Sequence, residues 1–276
     1  MERVREGFDR STFDELAEAG VFSLRADGFS WADAAIVYEE LGRACVPGPL
    51  VDSFGATVPT GVVEPIPGRT IWIEHLDAIE RLLVFSPDGV DVVDPRAVSG
   101  APAEWPLDPL TPVTPIDALP TGTREGDAAQ AYRWWQEGAL LTATQQVGLA
   151  DALVDISVAY AIDREQFGRP IGAFQAVKHM CAEMAVKAEV ARAAVHAAAC
   201  VLDDPETGDL WRALHGAKSV AGETAIACGR LATQVHGGMG FTWEVDVHLY
   251  LKRAWVLDTR FGSADAHADA IAAALP

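Results

Sequence analysis

Apolar and polar positions follow three different rhythms along this chain. Up to about residue 46 the apolar residues recur at helical spacing. "STFDELAEAGVF" opens on a Ser/Thr cap and stops near Gly20, and "SWADAAIVYEELGRA" repeats the plan with Ser30 as cap and Gly42 near its end. Proline and glycine then thicken from Pro47 to Gly68. From about 52 to 122 the pattern shortens. "RTIWIEHL" and "RLLVFSPDGVDVVD" are β-branched and aromatic, with Pro87-Asp88-Gly89 placed as a hairpin turn. The proline-rich "SGAPAEWPLDPLTPVTPIDALPTG" can only form extended strands and loops, because proline gives no N–H and fixes φ.

From Asp127 the rhythm is helical again, without a proline until Gly168-Arg169-Pro170. The next stretch sets Phe174, Val177, Cys181, Met184, Ala188, Ala191, Val195 and Ala198 on one stripe, and a third helix is expected from about Asp209 to Val235. Long helices with short connections predict an antiparallel bundle, and the many alanines predict close helix approach. The expected fold is mainly α: an N-terminal helical segment (1–51), a small reduced β-subdomain (52–126) and a C-terminal helical bundle (127–276).

Composition narrows the function. Half of the 276 residues are hydrophobic, enough for a sizeable core, and 21 basic residues face 40 acidic ones for a net charge of −19. That balance argues against nucleic acid as a partner, and any anionic ligand must be met by local arginines, lysines or helix N-termini. Cys45, Cys181, Cys200 and Cys228 form no C-x-x-C pair; three lie in alanine-rich helical patterns and read as small buried thiols. The histidines form no ligand-spaced cluster, so no metal is expected. No leader and no run near the roughly 18 apolar residues of a membrane span is present, so no membrane partner and a cytoplasmic setting are expected.

Two segments carry chemistry. One is Arg164-Glu165-Gln166-Phe167-Gly168-Arg169-Pro170-Ile171 with Phe174-Gln175; the other is Gln234-Val235-His236-Gly237-Gly238-Met239-Gly240-Phe241. Taken singly, Gly168 and Pro170 read as helix stops, Phe167 and Phe174 as a hydrophobic staple, and Gly237-Gly238 as a turn. Taken together, in this order and two helices apart, they resemble the R-x-Q-F-G-x-P-I-x-x-F-Q and Q-x-x-G-G-x-G-[YF] patterns of the acyl-CoA dehydrogenase flavoproteins. The resemblance covers about Ala128 to Pro276 well and the N-terminal helices more loosely. It implies a helical domain, a β-domain and a C-terminal four-helix bundle. It also implies FAD, shared across a subunit interface, and an acyl-CoA substrate oxidised at its α and β carbons. Arg164 and Gln166 would serve the pyrophosphate and adenosine portion of a neighbour's FAD. Phe167, Phe174 and Gln175 would line it, and Gln234, Gly237 and Gly238 would give backbone approach. A guanidinium forks onto phosphate oxygens, and glycines let a backbone N–H come close to a diphosphate.

The chain departs from the family where a base is needed. Phe261 stands where the resemblance expects the glutamate that removes the α-proton. At the alternative position on the helix before Arg164 the register gives Gly138. Glu137 is adjacent but rotated by roughly 100°, and Asp258 and Asp265 are nearby in sequence. Trp72 and Ile73 look like a remnant of the family's Trp-Ile-Thr strand, with Glu74 replacing the hydroxyl residue. Lys252-Arg253 stand in place of Arg-Asp. The resemblance therefore implies a shortened subunit without its own catalytic base, paired with a full-length acyl-CoA dehydrogenase subunit in an α2β2 heterotetramer of the kind that acts on sterol side-chain thioesters. Two other readings stay open: an autonomous enzyme using Glu137 or another carboxylate, and a flavin-free structural protein derived from the family.

Overall fold

The computed structural model describes residues 7–275. They form two compact units, one from the residues up to Ser30 together with Pro47–Gly138, the other from Trp31–Val46 together with Ala139 onward.

In the first unit, helix α1 (Arg10–Glu18) is capped by Asp9, whose carboxylate accepts the Ser11 N–H. The cap lies two residues before the expected Ser/Thr, because Asp9 is as good a cap as serine and the backbone path brings its carboxylate to the free amide of the first turn. Strands β1 (Thr60–Val63), β3 (Arg81–Ser86), β4 (Gly89–Val93) and β6 (Thr123–Asp127) make one sheet in the order β1-β3-β4-β6, with β1 parallel to β3. Pro87-Asp88 is the two-residue loop between β3 and β4. Gly89 follows at φ 142°, where a Cβ would run into the Gly126 carbonyl. Strands β2 (Ile71–Glu74) and β5 (Val113–Ile116) pair as a separate antiparallel ribbon. Val63, Ile73, Ile79, Leu82, Val93 and Ile116 form the core between them.

Helix α3 (Ala128–Asp163, 36 residues) begins here, with the Asp127 carboxylate accepting the Gln130 N–H, and continues into the second unit. There it is joined by α2 (Trp31–Arg43), α4 (Gln175–Asp203), α5 (Leu210–His236), α6 (Val247–Thr259) and α7 (Ala264–Ala273). From Ala139 to Ala150 every residue of α3 is buried, so this stretch is walled in on all sides. On α4 the predicted stripe is buried from Met184 to Ala198, whereas Phe174, Val177 and Cys181 are only half-buried. Of the three cysteines in alanine-rich helices, Cys228 is buried as expected, Cys181 is half-buried, and Cys200 is exposed because it falls on the solvent face of α4; Cys45 is buried as well.

α2 and α3 cross with backbones in contact. A Cβ at Gly42 would strike the Gln145 carbonyl, and one at Gly148 the Glu39 carbonyl. Around that crossing Arg192 of α4 bonds Glu39 at 2.7 Å and Asp151 at 2.9 Å, and His196 Nε2 reaches Glu39 at 3.1 Å. α6 closes the end of α2: the Tyr250 hydroxyl donates to Arg43 O at 3.0 Å and the Arg253 guanidinium to Val46 O at 3.1 Å. Gly148→Ala should therefore lower unfolding stability by about 1–3 kcal/mol through overpacking, read as a shifted urea midpoint. An unchanged midpoint would contradict the contact.

Candidate functional site

At the end of α3 the chain makes a short hairpin. Strands β7 (Glu165–Gln166) and β8 (Arg169–Pro170) pair with Glu165 opposite Pro170 and Gln166 opposite Arg169. Phe167 and Gly168 form the turn at φ 54° and 74°, the left-handed region a two-residue hairpin loop demands. Glycine adopts it freely; phenylalanine does so at a cost. The Arg164 N–H donates to Tyr160 O at 2.9 Å and the Ile171 N–H to Arg164 O at 2.8 Å, fastening the hairpin to the helix. A 3-10 turn, Ile171–Ala173, leads into α4. Everything from Ile162 to Pro170 is exposed, Phe167 at 93%.

The second segment ends α5. Gly237 is its C-cap at φ 60°, and a 3-10 turn, Gly237–Phe241, follows. A Cβ at Gly237 or Gly238 would meet nothing within 4 Å, so their backbone lies open, whereas one at Gly240 would collide with Thr233. Phe241 is 81% exposed.

Tyr160 ties the two segments together. Its ring stacks on His236 at 4.2 Å between centroids, and its hydroxyl donates to Met239 Sδ at 3.6 Å. His236 itself is buried, its Nδ1 on Ala232 O at 2.8 Å, and burial lowers its pKa. Motifs about 70 positions apart thus meet at one end of the bundle through a residue one helical turn before Arg164. Nothing in the sequence singled out Tyr160, because stacking partners are set by the fold.

Of the residues expected to meet a cofactor, Arg164, Gln166, Phe167, Gln175, Gln234, Gly237 and Gly238 are exposed and Phe174 is half-buried. Among the described residues the Arg164 guanidinium has no hydrogen bond or ion pair. The Gln166 amide turns back to Glu165 O at 2.7 Å. An unpaired guanidinium and an open glycine backbone at the same end of the bundle are groups of the kind that suit the anionic part of a dinucleotide. Arg169 is a residue the sequence reading passed over: its guanidinium carbon lies 4.1 Å from the centre of the Phe174 ring.

The base position is built quite differently. Phe261 (φ 51°) and Gly262 (φ 88°) make a left-handed turn between α6 and α7, and Phe261 is buried at 4% exposure. The turn is held by its carbonyls. His267 Nε2 bonds Phe261 O at 2.8 Å, so that nitrogen carries the proton. The fully buried Lys218 donates to Gly262 O at 2.9 Å, with Asp258 O at 3.4 Å and Leu257 O at 3.5 Å beyond. Burial pushes the Lys218 pKa down to about 8, partly countered by Asp258, and pushes His267 down to about 4. His215 is buried between Trp211 and His267, with ring centroids 4.4 and 4.6 Å away. Asp258 accepts the Ala264 N–H at 3.0 Å, and Asp265 is exposed in the first turn of α7.

In the first unit Glu137 is half-buried on α3, and desolvation raises its carboxyl to about 7 against the pull of Arg133 and Arg25. On β2, Trp72 and Glu74 alternate with the fully buried Ile73, and Trp72 is 54% exposed opposite Pro115. Lys252 sits over the Trp243 ring at 5.1 Å while Arg253 turns inward. Among the described residues no group of three or more His, Cys, Asp or Glu could hold a metal ion.

A family model described as "Acyl-CoA dehydrogenase, C-terminal domain" matches residues 129–275. The chain is 38% identical over 266 residues to the acyl-CoA dehydrogenase IpdE2 of Mycobacterium tuberculosis, covering 90% of this chain and 81% of that one. With IpdE2 of Mycolicibacterium smegmatis it is 36% identical, over 82% of this chain and 73% of that one. Among solved structures it superposes on a Tcur3481-Tcur3483 steroid ACAD variant with TM-score 0.81 at 22% identity, covering 99% of this chain and 91% of that one. With the ChsE4-ChsE5 complex of M. tuberculosis the TM-score is 0.80 at 19% identity, covering 100% and 92%.

The buried histidines set an acid limit. His267 stays neutral in the folded bundle down to about pH 4, while an unfolded histidine takes a proton near 6.5. The unfolded chain therefore binds more protons between these values, and stability falls as pH drops through that window. The His267 share is about 3 kcal/mol. Thermal midpoints should decline from pH 6.5 to 4, and His267→Gln should flatten that decline; an equal slope in the variant would refute this origin.

Proposed function

Because the chain belongs to the acyl-CoA dehydrogenase family, we propose that it is a subunit of a hetero-oligomeric acyl-CoA dehydrogenase that completes the FAD site of a full-length partner subunit and carries no base of its own. The observation behind this is an asymmetry within the second unit. The residues suited to a dinucleotide face outward at one end, whereas the position expected to hold the base is a phenylalanine sealed inside.

FAD, when bound, accepts the hydride that leaves the substrate's β-carbon. The residues of this chain would bind and orient. Arg164 forks onto diphosphate oxygens and the Gly237-Gly238 backbone comes close to them. Phe167 and Phe174 cover the adenosine portion, with Gln166, Gln175 and Gln234 offering amide hydrogen bonds. The α-proton must go to a carboxylate. Phe261 cannot take it, Lys218 is a buried donor to the carbonyls of that turn, and His267 is sealed inside with burial holding its pKa down to about 4, so neither is placed to receive a substrate proton. The base is then the partner's. A solved neighbour described as a steroid ACAD variant supports a bulky acyl-CoA as substrate. No helix among the described residues is long and apolar enough to cross a membrane, and a cytoplasmic setting is part of the proposal.

A second reading keeps the chain autonomous with Glu137 as base. It is favoured by one fact, a carboxyl raised to about 7, where proton transfer near neutral pH is efficient. The two readings separate on purified protein. With its partner co-purified, Arg164→Ala should weaken FAD retention roughly 10- to 100-fold, and Glu137→Gln should leave turnover unchanged. A chain that alone binds FAD stoichiometrically and dehydrogenates an acyl-CoA would sink the subunit reading. FAD content unmoved by Arg164→Ala would favour a flavin-free structural role.

A further inference from the structure

The hairpin carries a second cation that the motif comparison does not assign. In an antiparallel pair, residues directly opposite each other put their side chains on the same face. Gln166 lies opposite Arg169, so these two share a face, and Glu165 with Pro170 take the other. Arg164, two residues before Gln166, joins the first face by strand alternation, and the Ile171 N–H to Arg164 O bond extends the ladder to it. One side of the hairpin therefore presents two guanidiniums around an amide, with the neighbouring carboxylate of Glu165 turned away.

Acidic residues outnumber basic ones 40 to 21, and Arg10, Arg43, Arg81, Arg96, Arg124, Arg192 and Arg212 each hold a carboxylate. Arg164 and Arg169 have no carboxylate partner among the described residues. Arg169 is nonetheless ordered by stacking: its guanidinium carbon is 4.1 Å from the Phe174 ring centre, and Phe167 meets the same ring edge-on at 6.1 Å. Cation–π contact holds a guanidinium by its flat side and leaves the N–H edge free to donate. Each phosphate of a dinucleotide carries its own negative charge, so a single guanidinium answers only half of it.

We propose that Arg169, held over the Phe174 ring, is a second diphosphate-binding cation acting beside Arg164 on the flavin dinucleotide of the partner subunit. This rests on the subunit reading above. The test is FAD dissociation from the co-purified complex, followed by flavin fluorescence over a series of salt concentrations, with melting of the apo-complex in parallel. Arg169→Met, which keeps the apolar stack and removes the charge, should weaken FAD binding about tenfold and make it less salt-dependent, without moving the apo melting temperature. Arg169→Lys should recover part of the loss and restore the salt dependence. If Arg164→Ala weakens FAD binding and Arg169→Met does not, this inference fails while the subunit reading stands. If neither variant does, both fail. If Arg169→Met lowers the apo melting temperature in step with its FAD loss, Arg169 is a structural stack and the proposal is overturned.

Discussion

The second unit depends on burying a stretch of helix on every side. From Ala139 to Ala150 every residue of α3 is buried, so its neighbours must pack all round it. A helix surrounded in that way needs thin faces at the tightest crossings, and Gly42 with Gly148 supply them where α2 comes backbone to backbone. The same stretch carries Thr142, Thr144, Gln145 and Gln146, polar side chains inside the bundle; Thr144 meets its need locally by donating to Leu140 O at 2.8 Å. Ion pairs among Glu39, Asp151 and Arg192 close over the crossing, partly screened from water, and align three helices on one another.

A second buried polar group fixes the other feature that matters for function. Lys218 sits in the interior with backbone carbonyls as hydrogen-bond acceptors, and Gly262, Asp258 and Leu257 at the end of α6 receive it. This is a side chain standing in for the missing partners at a helix C-terminus, where the carbonyls and the helix dipole both favour a cation. With His267 on Phe261 O, the turn is held through main-chain atoms as well as by the burial of the Phe261 side chain.

Much of this was readable in advance. The hairpin turn at Pro87-Asp88, the long proline-free α3 and the α4 stripe from Met184 to Ala198 all follow from period and punctuation, which act locally. The first helix start was misplaced because Ser11, Thr12 and Asp9 are all good caps and only the backbone path picks one. Cys200 was misread as buried because alanine-rich helices carry small residues on both faces. Tyr160, Arg169, Lys218 and His267 escaped notice for a common reason: each acts through a partner brought to it by folding.

The sequence by itself determined the family resemblance, the order of helical and β zones, and the absence of a carboxylate at position 261. Those are properties of residue identity and spacing. The tertiary structure alone decided which way each group faces. It opened Arg164, Phe167, Gly237 and Gly238 to the surface and joined their two segments through Tyr160. It sealed Phe261 beneath a turn pinned by Lys218 and His267. Exposure and burial depend on what packs against a residue from remote parts of the chain, and no local pattern encodes that.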